Sequence, residues 1–395
     1  MITVEQALAL VAKHSLPQDR KSEKKALEQA QQAVLAQEVV APIALPPFRQ
    51  SAMDGYAVHL HDSNSYQIIG TIQAGDDIDF ELQPGQACRI FTGAAVPHTA
   101  NAVVIQELVI REENQIKVQK KPQEGQNIRK VGEQVEQGTL VLEKGFDLNP
   151  PALGLLQSLG LKEVLVYAKP KITILLTGNE LQQAGKPLTP GKIYESNSLV
   201  LQAALQQMGI TTVKIKLIED DLNATVQALK VALEEADLVL ISGGISVGDF
   251  DFAGTALQQL GVEEIFYKVK QKPGKPLYFG KHQQTYLFAL PGNPASTLNC
   301  FYVYVYPLLE ALMGKTKTGL MRLQQPLAHD FENTNDRALF LKASLENNKV
   351  SIRTGQASSM IKAFAEANAL VYIPHSQKEI KKGEAVETLL LPHGI

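Results

Sequence analysis

The spacing of apolar positions changes several times along the chain, and each change marks a different kind of unit. Val4-Glu-Gln-Ala-Leu-Ala-Leu-Val-Ala-Lys-His14 has the spacing of an amphipathic helix. The stretch 20–37, rich in Ala, Gln, Lys and Glu, predicts a second helix by propensity. Pro42, Pro46 and Pro47 then stop helix, because proline offers no amide donor and its ring crowds the preceding turn. From 48 to about 142 the apolar residues come in short alternating runs separated by Gly, Pro and Asp. Tyr66-Gln-Ile-Ile-Gly, Ala87-Cys-Arg-Ile-Phe, Ala102-Val-Val-Ile-Gln and Gln115-Ile-Lys-Val-Gln read as strands of a β-rich unit. Helix returns at Pro150-Pro-Ala-Leu-Gly-Leu-Leu-Gln-Ser-Leu-Gly, with Pro at its start and Gly at its end. The flanking helices are expected to belong together, with the β unit inserted between them.

From 171 onward strands and helices alternate. Apolar strands are expected at Lys171-Ile-Thr-Ile-Leu-Leu, Thr211-Thr-Val-Lys-Ile-Lys-Leu and Asp237-Leu-Val-Leu-Ile-Ser, and further strands near 265–269, 277–279 and 286–290. Helices fit Ser196 to Met208, Ala224 to Ala236, about 252–260, and from Ala295. This rhythm implies a mostly parallel sheet covered by helices on both faces. After Gly314 the pattern is β again, with strands at 339–345, 348–353 and 369–373 and one short helix near 358–366. The fold class is therefore multidomain α/β plus β. The expected domains are 1–47 with 138–168, a helical and β N-terminal region; 48–137, the inserted β-rich domain; 169–316, a three-layer α/β domain; and 317–395, a C-terminal β domain.

Composition narrows the function classes. With 45% hydrophobic and 20% charged residues the chain is an ordinary globular protein, and a net charge of -3 gives no global field for nucleic acid or membrane surfaces. No segment reaches the roughly 18 continuous apolar residues that span a bilayer. The N-terminus shows no signal-peptide pattern. Cys88 and Cys300 are too sparse for a disulfide framework or a cysteine metal site, so a reducing, cytoplasmic setting is expected, with both thiols buried.

Three apolar strands run directly into Gly-containing polar turns: Thr177-Gly-Asn-Glu-Leu181, Ser242-Gly-Gly-Ile-Ser-Val-Gly-Asp249 and Leu290-Pro-Gly-Asn-Pro-Ala-Ser296. In a parallel sheet these turns share the carboxyl edge, where open α/β sheets bind ligands. Unhindered amides and a helix start suit anionic oxygens, so a phosphate-bearing ligand is expected there. Neither a P-loop nor a dinucleotide fingerprint is present. Glu180, Asp220, Asp221, Asp249 and Asp251 gather around the same edge. Acids beside a phosphate call for a hard cation such as Mg²⁺, although each aspartate pair also precedes a helix and could cap it. Lys272-Pro-Gly-Lys275-Pro276 presents two cations on a stiff turn, which suits a divalent oxyanion, with an exposed hairpin turn as the alternative. Asp54-Gly55 is a tight-turn signal, and His59 and His61 fit a polar strand face better than a metal site.

Six motifs in order carry a family resemblance: Ser51-Ala-Met-Asp-Gly-Tyr-Ala, Phe91-Thr-Gly-Ala-Ala-Val-Pro97, Thr177-Gly-Asn-Glu-Leu, Gly243-Gly-Ile-Ser-Val-Gly-Asp249, Lys272-Pro-Gly-Lys-Pro276 and Leu290-Pro-Gly-Asn-Pro294. Over essentially the whole chain, including Gln356-Ala-Ser358 and Ala367-Asn-Ala-Leu370, the sequence resembles the molybdopterin molybdenumtransferases, the MoeA/gephyrin E-domain family. The resemblance implies an elongated homodimer with a discontinuous N-terminal region, a molybdopterin-binding α/β domain and a C-terminal β-barrel-like domain. It implies insertion of molybdate into adenylylated molybdopterin with release of AMP, dependent on Mg²⁺, at a site shared between the α/β domain of one subunit and the Ser51–Val58 loop region of the other.

Carried over by motif, Asp54, Thr92, Glu180, Asp221, Asp249 and Asp251 become candidates for Mg²⁺ and substrate positioning, with Glu180, Asp221 and Asp251 as metal ligands. Thr177, Gly243, Gly244, Ser246 and the Pro291-Gly292-Asn293-Pro294 turn would cradle the pterin and its phosphates. Pro276 is a further candidate for cofactor binding, and Lys272 and Lys275, with Arg337 and Ser358, would receive molybdate. Gln134 stands where the family usually has Asp, and Ala357 where it usually has Gly. The alternatives are the related molybdopterin adenylyltransferase, itself a conceivable partner, and a non-catalytic dimeric scaffold. The extra β regions and the Ser51–Val58 motif argue against the first, and the lack of a long linker or tail against the second.

Overall fold

The structure, a computed structural model, describes residues 1–15, 20–245 and 252–392. Ser246, Asp249 and Asp251 therefore lie outside the described residues. The chain divides into two compact units, Met1–Glu23 with Tyr167–Ile395, and Lys24–Val166.

In the larger unit, four parallel strands run in the order Val213–Ile218, Ile172–Thr177, Leu238–Ser242, Thr285–Leu290. Tyr278–His282 pairs antiparallel with Thr285–Leu290, and the edge strand Glu263–Tyr267 antiparallel with Tyr278–His282, so one reversed strand interrupts the expected mostly parallel sheet. The central strands are buried along their whole length, which is why they read as unbroken apolar runs. Each face has its own core. One gathers Ile174, Leu240, Phe288 and the helices Asn197–Gln207 and Pro294–Cys300. The other gathers Leu175, Val239 and Leu287 with Leu222–Glu235 and Phe252–Gln259.

Helix Val4–His14 opens on a capping box formed by Thr3 and Gln6 and buries Val4, Ala7 and Val11 in the first of these cores. This helix belongs to the larger unit, and the helix Pro150–Ser158 to the smaller one. Residues 301–305 continue the Pro294–Cys300 helix as a fully buried π-helical turn.

The C-terminal strands form a mostly antiparallel sheet ordered Gln271–Lys272, Ala338–Glu346, Ala369–Ile373, Ala385–Leu390, Arg322–Pro326, with Lys349–Ile352 also on Ala338–Glu346. A bridge from Leu327 to Val350 joins the Arg322–Pro326 and Lys349–Ile352 edges, so the sheet curls toward closure around Leu341, Val371 and Val386.

The smaller unit holds a six-stranded sheet ordered Ala102–Ile105, Gly55–Val58, Gln86–Ile90, Ser65–Ile72, Gln115–Val118, Val109–Glu112. Gly55 sits within a strand, not at a hairpin tip: a Cβ there would lie 1.9 Å from the Val104 carbonyl oxygen. A separate cluster packs Leu27, Ala30, Ala33 and Leu35 against Leu148, Ala152 and Leu156, so the segments before and after the sheet do meet.

The helix expected over 20–37 does not form. Ser22–Ala26 is a strand paired with Glu163–Tyr167, followed by a single 3₁₀ turn at Leu27–Gln29. Good helix propensity over this stretch yields to burial of its alanines and leucines, since propensity differences of a few tenths of a kcal/mol per residue are smaller than the gain from packing apolar side chains. No helix among the described residues is long and apolar enough to cross a membrane.

Candidate active site

The carboxyl ends of the four parallel strands open into a cleft of about 450 Å³. Thr177, Gly178 and Glu180 line it from the first turn, Ser242, Gly243, Gly244 and Ile245 from the second, and Pro291, Gly292, Asn293 and Pro294 from the third. The three turns that the sequence places at one edge are therefore walls of one cavity.

Backbone geometry explains the glycines. Gly243 has φ +93°, and a Cβ on it would lie 2.6 Å from the Thr177 carbonyl oxygen; at Gly244, φ +61°, the clash would be with Thr177 Oγ1 at 2.8 Å. Only glycine lets the second turn lie against the first strand. Thr177 Oγ1 is buried and has no hydrogen-bond partner among the described residues.

A further polar group enters from Asn197, which the sequence reading did not single out. Its Nδ2 donates to Ser242 Oγ at 2.8 Å and to the Gly292 carbonyl at 2.7 Å, tying the second turn to the third, while its buried Oδ1 has no partner among the described residues. The legible signal was Glu195-Ser-Asn-Ser198, a helix-start pattern: Glu195 accepts from the Ser198 amide at 2.8 Å and from its hydroxyl at 2.5 Å.

The neighbouring aspartates separate. Asp221 is the N-cap of Leu222–Glu235, its Oδ1 accepting from the Ala224 amide at 2.8 Å, and it does not line the cleft. Asp220 does line it, with Oδ2 accepting from the Asn179 amide at 2.9 Å. Glu180 faces the same space, and its carboxylate lies over Gly178. Among the described residues no three His, Cys, Asp or Glu side chains are grouped to hold a metal by themselves.

At the cleft rim, Pro276 is a lining residue at the end of the Lys272–Pro276 turn, on which Lys272 and Lys275 are both exposed. Gln271 and Lys272 pair in parallel with Ala338 and Leu339, so the turn leaves the C-terminal sheet and enters the α/β sheet. Arg337 directly precedes that pairing and is half-buried, 3.9 Å from Asp336. Ser358 Oγ accepts from Asn293 Nδ2 at 3.0 Å, which brings the C-terminal loop onto the third turn. Beneath this loop, Lys342 is 1% exposed and donates to the carbonyls of Ala357 at 3.1 Å and Met360 at 3.3 Å. Burial pushes the Lys342 ammonium below its ordinary value. Gln356 completes the brace, accepting from the Lys342 amide at 3.0 Å and donating to its carbonyl at 2.8 Å.

In the smaller unit Asp54 and Thr92 are brought together. Asp54 Oδ1 accepts from the Thr92 amide at 2.7 Å and from its hydroxyl at 2.6 Å. Those two bonds to the ionised form hold the Asp54 carboxyl below the usual aspartate value. His59 and His61 turn to separate carbonyls, those of Leu82 and Ser65.

A cleft at the carboxyl edge of a mostly parallel sheet, walled by glycine turns and rimmed by lysines, defines an α/β protein built to bind an anionic ligand. Three family models cover nearly the whole chain: the MoeA N-terminal region (domain I and II) over residues 2–160, the probable molybdopterin binding domain over 173–311, and the MoeA C-terminal region (domain IV) over 324–391. The molybdopterin molybdenumtransferase of Haemophilus influenzae is 34% identical over 98% of each chain, and that of Staphylococcus epidermidis 32% identical over 90% of this chain and 88% of its own. The crystal structure of the MoeA molybdopterin biosynthesis protein from Pyrococcus horikoshii superimposes with a TM-score of 0.83 at 29% identity, covering 99% of this chain and 100% of that one. The chain belongs to the molybdopterin molybdenumtransferase family.

Proposed function

We propose that this enzyme inserts molybdenum, supplied as molybdate, into adenylylated molybdopterin and releases AMP; the names of its relatives, molybdopterin molybdenumtransferases, support the transfer of molybdenum to molybdopterin. The observation that carries the reading is the convergence of three glycine turns in one cleft of about 450 Å³ with the two-lysine turn at its rim. Amides and the start of Pro294–Cys300 hold the phosphates, and Thr177 Oγ1 and Asn197 Oδ1 offer their unused hydrogen-bonding capacity to the pterin substrate. Lys272 and Lys275, with Arg337 and Ser358, hold the oxyanion. Cleavage of the phosphoanhydride is coupled to insertion, and fixed charges around the cleft stabilise the charge that develops.

The donor set suits a Mg²⁺ carried on phosphate: Glu180 and Asp220 line the cleft, and this ion needs only one or two carboxylates beside phosphate oxygens. Glu180 and Asp220 would hold it, and it would neutralise the departing phosphate. Asp221 enters this reading through the helix it caps, which fixes Asp220. Gly243, Gly244 and the Pro291–Pro294 turn are assigned to phosphate contact.

The reading includes a cytoplasmic homodimer in which the preset, exposed Asp54–Thr92 pair of one copy completes the cleft of the other. It includes substrate supplied by a molybdopterin adenylyltransferase, and the four-part domain organisation expected from the sequence. The test mixes the protein with adenylylated molybdopterin, Mg²⁺ and molybdate and follows AMP and active cofactor. Molybdate-dependent AMP release is expected, whereas ATP consumption without molybdate would point to adenylyl transfer instead.

A further inference from the structure

Behind the two-lysine turn lies a buried polar group that neither the motifs nor the proposed chemistry uses. Gln271 is 0% exposed. Its Nε2 donates to the Gly274 carbonyl at 2.9 Å, within the turn itself, and lies 3.6 Å from Cys300 Sγ. Its Oε1 accepts from Tyr304 OH at 2.5 Å. Cys300 and Tyr304 are both 0% exposed, and they project from the last residue of one helix and from the π-helical turn that follows it. Gly274 has φ +85°, and a Cβ on it would lie 2.5 Å from Cys300 Sγ. The turn thus rests directly on this floor, with no room for a side chain at Gly274.

The prolines at 273 and 276 restrict the turn's backbone, but they do not fix its height above the cleft. The Val269 and Lys268 amides tie its far end by donating to the Lys275 and Leu277 carbonyls, and at its tip the Gly274 carbonyl is held from beneath by the Gln271 amide, itself locked by a phenol, with the Cys300 thiol at 3.7 Å. We propose that Gln271, oriented by Tyr304, is a positioning residue for oxyanion capture: it sets the geometry of Lys272 and Lys275 without touching the oxyanion. The inference rests on the reading that this turn receives molybdate.

The test measures KM for molybdate, KM for adenylylated molybdopterin and kcat in Gln271→Met, which keeps the volume and removes the side chain's hydrogen bonds to Gly274, Cys300 and Tyr304, and in Tyr304→Phe, which only frees the amide. Lys275→Ala serves as the reference. Gln271→Met is expected to raise the molybdate KM about tenfold, the size of one lost buried hydrogen bond, with Tyr304→Phe giving a smaller rise in the same direction. The pterin KM and kcat should stay within about twofold in both variants, since binding of one substrate alone is affected. A parallel rise in both KM values would mark a merely structural role and overturn the proposal. So would an unchanged molybdate KM in Gln271→Met and Tyr304→Phe while Lys275→Ala raises it. If Lys275→Ala itself leaves the molybdate KM unchanged, the oxyanion reading of the turn falls, and the proposal with it. Should Gln271→Met fail to fold, Tyr304→Phe decides by the same two criteria.

Discussion

Asn293 Nδ2 donates to Ser358 Oγ at 3.0 Å, and this one bond links the phosphate-side turn of the α/β sheet to a loop of the C-terminal sheet. The loop is not held by its own residues alone. Lys342, buried and bonded to two of its carbonyls, sets its height, and Gln356 clamps the strand beneath. Two sheets that grow from distant stretches of chain therefore present their polar groups on one side of the cleft.

Ser358→Ala removes the acceptor of that bond while leaving the Lys342 brace in place. A neutral, solvent-accessible hydrogen bond contributes about 0.5–1.5 kcal/mol, so Tm should move by no more than a few degrees. On the proposed function the molybdate KM rises about three- to tenfold and the pterin KM does not. Steady-state AMP release at varied molybdate checks this, and equal effects on both substrates would remove Ser358 from oxyanion capture.

Asp220 and Asp221 should respond oppositely. Asp221→Ala removes a helix N-cap, a loss of about 1 kcal/mol, and should lower Tm by a few degrees with modest loss of turnover. Asp220→Asn keeps its shape and helix but removes a cleft charge, so Tm should hold while the Mg²⁺ needed for half-maximal AMP release rises about tenfold or more. Paired melting curves and Mg²⁺ titrations separate the two; a reversed pattern would make Asp221 the ligand.

How much of this was legible beforehand varies with the range of the interaction that decides it. The three glycine turns could be read because each is written locally, by an apolar run followed at once by a glycine or a Pro-Gly pair, with positive φ realised at Gly178, Gly243 and Gly244, and the parallel rhythm places their ends together. The split between Asp220 and Asp221 could not, since both precede the same helix and only the backbone direction at the cap selects which side chain is spent on it. Residues 20–37 failed for a related reason. Their composition favours helix in isolation, but Leu27, Ala30 and Leu35 find their partners more than a hundred residues away at Leu148 and Leu156. Gln271 and Lys342 were invisible because a buried polar residue is defined by what surrounds it, and that is fixed by sheet pairing across the chain.

The Asp54–Thr92 pair makes a prediction about pH. Two bonds from Thr92 favour the carboxylate, so the folded pKa lies below the ordinary value of 3.8. With the folded value depressed, the pair's contribution to stability is present above the unfolded pKa and is lost as pH falls through the folded one. Side-chain carboxyl shifts followed by NMR should give Asp54 a midpoint below 3.8, and Thr92→Val should move it upward by removing the hydroxyl donor while leaving the amide. A midpoint unchanged by that substitution would mean the hydroxyl does not stabilise the charge.

Gly243→Ala tests whether the second turn is shaped for a ligand or only for its own backbone. Two effects must be separated, the cost of positive φ in a residue with a Cβ and the clash that the Cβ meets. Gly185 isolates the first, because its φ is +92° and nothing lies within 4 Å of a Cβ there. Gly185→Ala should therefore cost about 1 kcal/mol and leave substrate affinity unchanged. At Gly243 the same backbone cost is joined by contact with the Thr177 carbonyl at 2.6 Å, a backbone atom in the sheet that cannot move aside. The turn must lift away from the strand, which takes its amides out of register with the cleft. Gly243→Ala should lose more stability than Gly185→Ala, by about 1–3 kcal/mol in urea titrations, and calorimetry should show at least a tenfold weaker affinity for the adenylylated pterin. Should the two alanine variants bind equally well, the phosphates are not held by this turn, and Pro291–Pro294 must carry them alone.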